Sequence, residues 1–156
     1  MNLKNKYLMI ILAVIIIKTN FSINVQAKEY NRFNNISIED GLSQATVETM
    51  MQDSKGYIWL GTNDGLDRYN GYTFKKYSYE KGQENSLVNG YILDIKEDSE
   101  GNIWVATAAG ISKIYNNGEK VQNYTSDSES GNLSNDNTAT MLISSSNKIY
   151  VGTAEG

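Results

Sequence analysis

DSKGYIWLGTNDGLDRYN, residues 53–70, returns forty-five residues later as DSEGNIWVATAAGISKIYN (98–116) and begins a third time as SSSNKIYVGTAEG (144–156). The register holds across the repeat. Trp59 recurs as Trp104 and then as Tyr150; Leu42, Leu87 and Leu133 keep the same spacing, as do Gly65, Gly110 and Gly156. Asp53 and Gly56 recur as Asp98 and Gly101, but the third copy has lost both. A period in this range marks a solenoid or a propeller.

Within the first copy, four short segments (47–52, 57–62, 66–69 and 73–77) are separated by turn signals. They are rich in Val, Ile, Thr, Tyr and Trp, whose shapes suit a pleated surface. Asp53 with Gly56 suits a type I turn. Asp64-Gly65 and Asn70-Gly71 accept the positive φ that tight β-turns need. No segment is long enough, or periodic enough at 3.6 residues, to compete as a helix. Four antiparallel strands in about 45 residues predict an all-β fold of four-stranded β-propeller blades. In the second strand the expected core-facing set is Ile58, Ile103 and Ile149 with Leu60, Val105 and Val151. Trp59, Trp104 and Tyr150 then face the neighbouring blade. Gly61, Ala106 and Gly152 follow directly and predict a close approach that tolerates only a small residue.

These residues resemble a known family. GLSQATVETMMQDSKGYIWLGTNDGLDRYNGYTFKKY (41–77) is similar to the two-component-regulator propeller repeat. In that family a leading G-L-S, a D-x-x-G turn, an [I/L]-W-[I/L]-G-T strand and a G-L-x-R-[Y/F] strand follow in order. The second copy departs at Ala106 and at residues 111–114. The resemblance covers roughly residues 30–156 and is more specific for fold than for activity. It implies a ligand-sensing propeller outside the membrane, feeding a histidine kinase or a diguanylate cyclase inside. The chain then looks like an N-terminal portion of a membrane-tethered receptor, with any output domain beyond residue 156.

Composition bounds the chemistry. The 156 residues contain no Cys and no His. Disulfides, Cys-based redox or zinc sites, His-containing triads, His metal ligands and a phospho-accepting His are therefore excluded within this chain. Lys4 and Lys6 precede an eleven-residue apolar run (7–17), and Val25-Gln26-Ala27 fits a small-x-small cleavage rule. This is a signal-peptide pattern over residues 1–27, too short for a span of about 20 residues, and it predicts an exported chain (28–156) beginning at Lys28. An uncleaved anchor would need the run to continue through Lys18, Thr19 and Asn20. The formal charge of −4 becomes −7 once the three Lys of residues 1–27, which carry no acid, are set aside. Such a chain has no electrostatic footprint for nucleic acid or anionic lipid.

The repeats run about 41–85, 86–131 and 132–156. Polar links at 78–85 and 125–132 read as surface loops, because the repeat resumes in phase after each. Residues 29–34 (EYNRFN) read as the last strand of a blade whose other strands lie elsewhere, since Phe33 precedes Leu42 by nine residues as Tyr124 precedes Leu133. Two blades, half of a third and one orphan strand predict an incomplete ring. Its open strand edges would take the remaining blades or self-associate, so the expectation is a truncated product or a fragment.

No motif carries catalysis. Residues 61–66 lack the Lys and Ser/Thr of a P-loop, and residues 98–102 place Gly too early for a calcium loop. Asp64 and Asp67 have the look of paired glycosidase carboxylates, but Ala109 and Ser112 replace them in the second copy. A solvated loop and strand edge explain them more simply. Tyr57, Tyr69, Tyr72, Tyr77 and Tyr79 fall in the first blade with Asn63 and Asp64, a composition suited to sugar or peptide recognition or to blade packing. The candidate ligand contacts are Asn63, Asp64 and Tyr72, whose aligned positions change in the second copy. The expected ligand is an extracellular small molecule or carbohydrate, with no cofactor and no metal. The competing readings are a secreted propeller lyase or hydrolase acting on polysaccharide, and an adhesion or scaffold propeller.

Overall fold

The computed structural model describes residues 2–9, 33–129 and 133–155. It divides into two compact units, Met1–Asn34 and Asn35–Gly156. In the first unit, residues 3–9 are helical. Most of the apolar run, the cleavage site after Ala27 and all but the end of the strand expected at 29–34 lie outside the described residues. Phe33 and Asn34 belong to no strand. Among the described residues no helix is long and apolar enough to cross a membrane.

The second unit is built from the repeats. In the first sheet, β1 (Val47–Gln52), β2 (Ile58–Thr62), β3 (Gly65–Tyr69) and β4 (Phe74–Tyr77) are antiparallel neighbours in chain order. The second sheet repeats this with β5 (Ile92–Glu97), β6 (Ile103–Thr107), β7 (Gly110–Tyr115) and β8 (Lys120–Tyr124). The third pairs β9 (Thr138–Ile143) with β10 (Ile149–Thr153). The pairings match between copies: Trp59 lies opposite Met51 and Arg68, Trp104 opposite Lys96 and Lys113, and Tyr150 opposite Leu142. A bulge falls at the same place in β1 and β5, which turns the side chains before it to the other face.

The third copy keeps its turn despite losing Asp and Gly. Gly56 N donates to Asp53 O at 2.9 Å, Gly101 N to Asp98 O at 3.0 Å and Asn147 N to Ser144 O at 2.9 Å. Asn147 takes up the left-handed conformation (φ 60°) that Gly56 and Gly101 adopt without a Cβ penalty, and Asn is the side-chain-bearing residue that most readily does so. Ser144 Oγ accepts the Lys148 amide at 3.1 Å, as Asp53 accepts the Tyr57 amide at 2.9 Å.

Apolar contacts run between successive sheets. Trp59, Leu66 and Tyr77 of the first sheet pack with Leu87, Ile92, Ile95, Ile103, Val105 and Ile114 of the second repeat. Ala106, Ile111, Trp104 and Tyr124 of the second meet Leu133, Met141 and Val151 of the third. Each blade thus has a forward face carrying the Trp position and a rear face of Ile and Val. Fully burying one such aliphatic side chain contributes about 1.5–3 kcal/mol. At Gly61 the apolar approach is close: a Cβ there would lie 2.5 Å from Ile92 Cγ2 and 2.7 Å from Thr49 Cγ2. Tyr150 departs from the packing expected of its repeat position. It is 57% exposed, because no further sheet lies on the forward face of β9 and β10 among the described residues.

Candidate functional site

Two ends of the blades gather the polar residues. At the first end lie the β2–β3 and β6–β7 turns and the links entering β1, β5 and β9. Gly65 N donates to Gly90 O at 2.7 Å, so the first blade's turn and the next blade's entry form one surface. Each turn is braced by a buried Thr: Thr62 Oγ1 donates to Gly65 O and Thr107 Oγ1 to Gly110 O, both at 2.8 Å. Each entry is braced by an amide side chain that accepts the N–H two residues on. Gln44 serves Thr46, Asn89 serves Tyr91 at 2.8 Å and Asn135 serves Asn137 at 2.8 Å. On this frame Asn63, Asp64 and Tyr91 stand exposed.

The second end carries the D-x-x-G turns and the β3–β4 and β7–β8 turns. Asp53 Oδ1 accepts the amides of Lys55 and Tyr57, and its Oδ2 accepts Trp59 Nε1 at 2.7 Å. Asp98 does the same for Glu100, Asn102 and Trp104. Arg68 lies 4.7 Å above the Tyr57 ring and 5.7 Å from that of Trp59, and Lys113 lies 5.0 Å above Trp104. The β7–β8 turn clamps the first blade: Asn117 O accepts from Arg68 at 3.2 Å, and Gly118 O accepts from Lys75 Nζ at 2.8 Å and Tyr77 Oη at 3.2 Å. Beside this clamp an open cleft of about 280 Å³ is lined by Lys75, Glu80, Asn85, Ser86 and Glu119 among others. Burial pushes the Tyr77 phenol up to about 12; Arg68 opposes this and Glu119 adds to it.

The structure does not bring the three sequence-predicted contacts together. Asn63 and Asp64 are exposed at the first end, whereas Tyr72, 91% exposed, sits in the β3–β4 turn at the second. Asp64 and Asn70 bracket β3, so the two groups lie roughly 20 Å apart at about 3.3 Å per strand residue. One small ligand cannot touch both. The tyrosines likewise form no single recognition surface. Tyr77 is buried 5.5 Å from the Trp59 ring, Tyr69 stacks on Phe74 at 4.7 Å, and Tyr57 lies under Arg68.

Asp67 corrects the expectation of a solvated strand edge. It is fully buried, accepting Ser43 N and Ser43 Oγ at 2.7 Å each. Ser112, its counterpart, accepts Val88 N at 3.0 Å and donates to Asn123 Oδ1 at 2.7 Å. Both residues therefore fasten the incoming link to the blade, and the exchange of Asp for Ser changes the fastener while keeping the task. Sequence reasoning did not single out Tyr91, which stands exposed at the first end. Its signal was available, since the aligned positions are Thr46 and Asn137 and so vary as those of Asn63 and Asp64 do. Among the described residues, no cluster of three His, Cys, Asp or Glu converges as a metal site.

The family model described as "Two component regulator propeller" matches residues 41–64 and 86–109. Histidine kinase P4 of Formosa agariphila is 36% identical over 74 residues, which are 47% of this chain and 5% of that protein. The extracellular domain of a hybrid two component system from B. thetaiotaomicron superposes with a TM-score of 0.68 at 23% identity. The match covers 76% of this chain and 17% of that one. Virginiamycin B lyase from Staphylococcus aureus superposes with a TM-score of 0.54 at 19% identity, over 72% of this chain and 36% of the lyase. At these identities the structural likenesses carry the fold alone, and the chain spans a small part of each relative. Each match of the family model covers the first two strands of a blade, β1–β2 and β5–β6, and there the chain is similar to the two component regulator propeller repeat.

Proposed function

We propose that this chain is part of a ligand-sensing, extracytoplasmic propeller in a bacterial signal-transduction receptor of the histidine kinase or diguanylate cyclase type. It is exported by residues 1–27 and has no catalysis of its own. The observation that carries the reading is the coincidence of two family repeats with the 36% identity to a histidine kinase. The ligand is a small molecule or carbohydrate, met at the first end of the blades. There Asn63 and Asp64 offer amide and carboxylate groups beside the exposed aromatic Tyr91, the mixture that sugar recognition uses. The likeness to a lyase supports a shared fold, and one fold hosts many functions.

The test is a glycan array and isothermal titration on the receptor that contains this chain, followed by Asn63→Ala, Asp64→Ala, Tyr91→Ala and Tyr72→Ala. Affinity should fall about tenfold or more, near 1.4 kcal/mol, in at least one of the first three. Unchanged affinity in all three removes this end as the site, and a loss confined to Tyr72→Ala moves it to the other end. Cleavage of the bound glycan replaces the sensor reading with that of a polysaccharide lyase or hydrolase.

A further inference from the structure

At the second end, the seam between the first two blades holds an arrangement that the repeat does not require. β7 and β8 are each one residue longer than β3 and β4. The turn that joins them lies against the first blade, where Asn117 meets Lys55 and Arg68. Three consecutive residues of this turn, Asn116, Asn117 and Gly118, take positive φ (52°, 58° and 83°). Side-chain-bearing residues visit that region singly. A run of them needs surroundings that over-determine the backbone, and such places cluster at ligand clamps and active sites.

That backbone gives two cations neutral partners only. Lys55 Nζ donates to Asn117 Oδ1 at 2.8 Å, and Arg68 Nη1 donates to Asn117 O at 3.2 Å. The ion pairs among the described residues are Lys75–Glu119 and Lys96–Asp94, so neither Lys55 nor Arg68 has a carboxylate. Arg carries five N–H donors and Lys three, and one on each is engaged here. Tyr57 supports the Arg68 guanidinium from one face, which leaves the edge of its fork free. Between them is a pit of about 20 Å³, lined by Asp53, Lys55, Tyr57, Trp59, Arg68 and Asn117 among others. It has room for one group the size of a water. Asp53 adds no open charge there, because its two oxygens already accept three donors. The second repeat separates what belongs to the fold from what does not. Lys113 keeps the cation over the Trp ring, whereas Glu100 and Asn102 replace Lys55 and Tyr57.

We infer that this seam is a binding site for a carboxylate group of a ligand. One carboxylate oxygen takes the place of Asn117 Oδ1 on Lys55 at the mouth of the pit. The other faces the free edge of Arg68, whose planar fork suits a carboxylate. Both cations then gain the anionic partner that the fold withholds from them. The site lies at the opposite end of the blades from Asn63, Asp64 and Tyr91, and it stands or falls independently of the sensor reading.

The experiment is an NMR titration of the ¹⁵N-labelled full chain with sodium acetate, sodium D-glucuronate and D-glucose at fixed ionic strength. Arg32 and Arg68 are its two arginines, so the Arg68 Nε–H signal is easily assigned, and the Gly118 amide reports the turn. Both carboxylates should shift these signals saturably, and glucose should not. Tighter binding of glucuronate than of acetate assigns the group to an acidic sugar; equal binding assigns it to a simple carboxylate. Lys55→Gln should weaken binding about tenfold or more. Arg68→Lys, which keeps the charge and loses the fork, should also weaken it, read at the Gly118 amide. Lys113→Gln, which removes the aligned cation of the second repeat, should leave affinity unchanged. Lys55 is exposed, and matching thermal melts confirm that its variant folds. Signals that neither carboxylate moves overturn the inference, as do equal shifts with glucose or an affinity that Lys55→Gln leaves intact. A loss in Lys113→Gln as large as in Lys55→Gln overturns it too, because net charge would then explain both.

Discussion

Trp59 donates its indole N–H to Asp53 at 2.7 Å, joining the β1–β2 turn to the largest side chain of the blade's core. The same carboxylate holds two turn amides, so one Asp fixes both the turn and the Trp rotamer. Trp59→Ala should cost about 3–5 kcal/mol, as for other buried aromatics. Asp53→Ala should cost about 1–3 kcal/mol by leaving the indole N–H and two amides without that partner. Urea unfolding measures both. A loss below about 1 kcal/mol for Trp59→Ala would contradict its burial.

Asp67 and Ser112 perform one task with different groups. Asp67→Ala should destabilise by about 1–3 kcal/mol, because two donors of Ser43 lose their acceptor. Asp67→Ser should recover part of that loss, since Ser112 already accepts the aligned Val88 amide. Equal midpoints for the two variants in denaturant would show that the serine does not engage.

Gly61→Ala should destabilise by about 1–3 kcal/mol, the usual cost of overpacking, since the new methyl meets Ile92 and Thr49. Gly152→Ala should be near neutral for stability, its nearest neighbour being Thr140 Cγ2 at 3.3 Å. Thermal melts of the two variants separate the packed glycine from the exposed one.

Acid should weaken the fold through Asp94 and Asp98. Burial alone would raise both carboxyls. For Asp94, the hydrogen bonds from Lys96, Met141 N and Thr140 outweigh it; for Asp98, those from Trp104 and Asn102 do, and both end below the ordinary range. A depressed folded value means stability that is present above the unfolded pKa of about 3.9 and lost as pH falls through the folded value. Denaturant midpoints should therefore drop from about pH 5 downward. Asp94→Asn should have a shallower acid slope, and an unchanged slope would remove Asp94 from this account.

Alkali should act through Tyr77. With its phenol held up to about 12 by burial, the neutral ring's contribution is complete below the unfolded value of about 10 and lost above it. Tyr77→Phe should flatten the fall in stability between about pH 10 and 12, read by fluorescence-detected unfolding. The same fall in both chains would assign it to other tyrosines.

The blade architecture was legible in the sequence because its determinants are local and periodic. Turn chemistry at Asp53-Gly56 and at Gly65, and alternation around Trp59, recur at 45 residues, and every copy must satisfy the same backbone. The edges of β1 were read from the sequence as observed, and those of β2, β3 and β4 to within one residue. What tertiary structure alone decided concerns which residues meet. Asn63 and Tyr72 are close in sequence yet lie at opposite ends, because a strand separates its flanking turns by its full length. Asp67 looked like a surface carboxylate until Ser43, twenty-four residues earlier, was seen to close over it. Asn147 had no glycine to announce its turn, and only its backbone conformation shows that Asn can stand in for one. Sequence specified the blade, since that depends on neighbours along the chain. Burial and pairing between blades depend on neighbours in space, and those follow only from the packed fold.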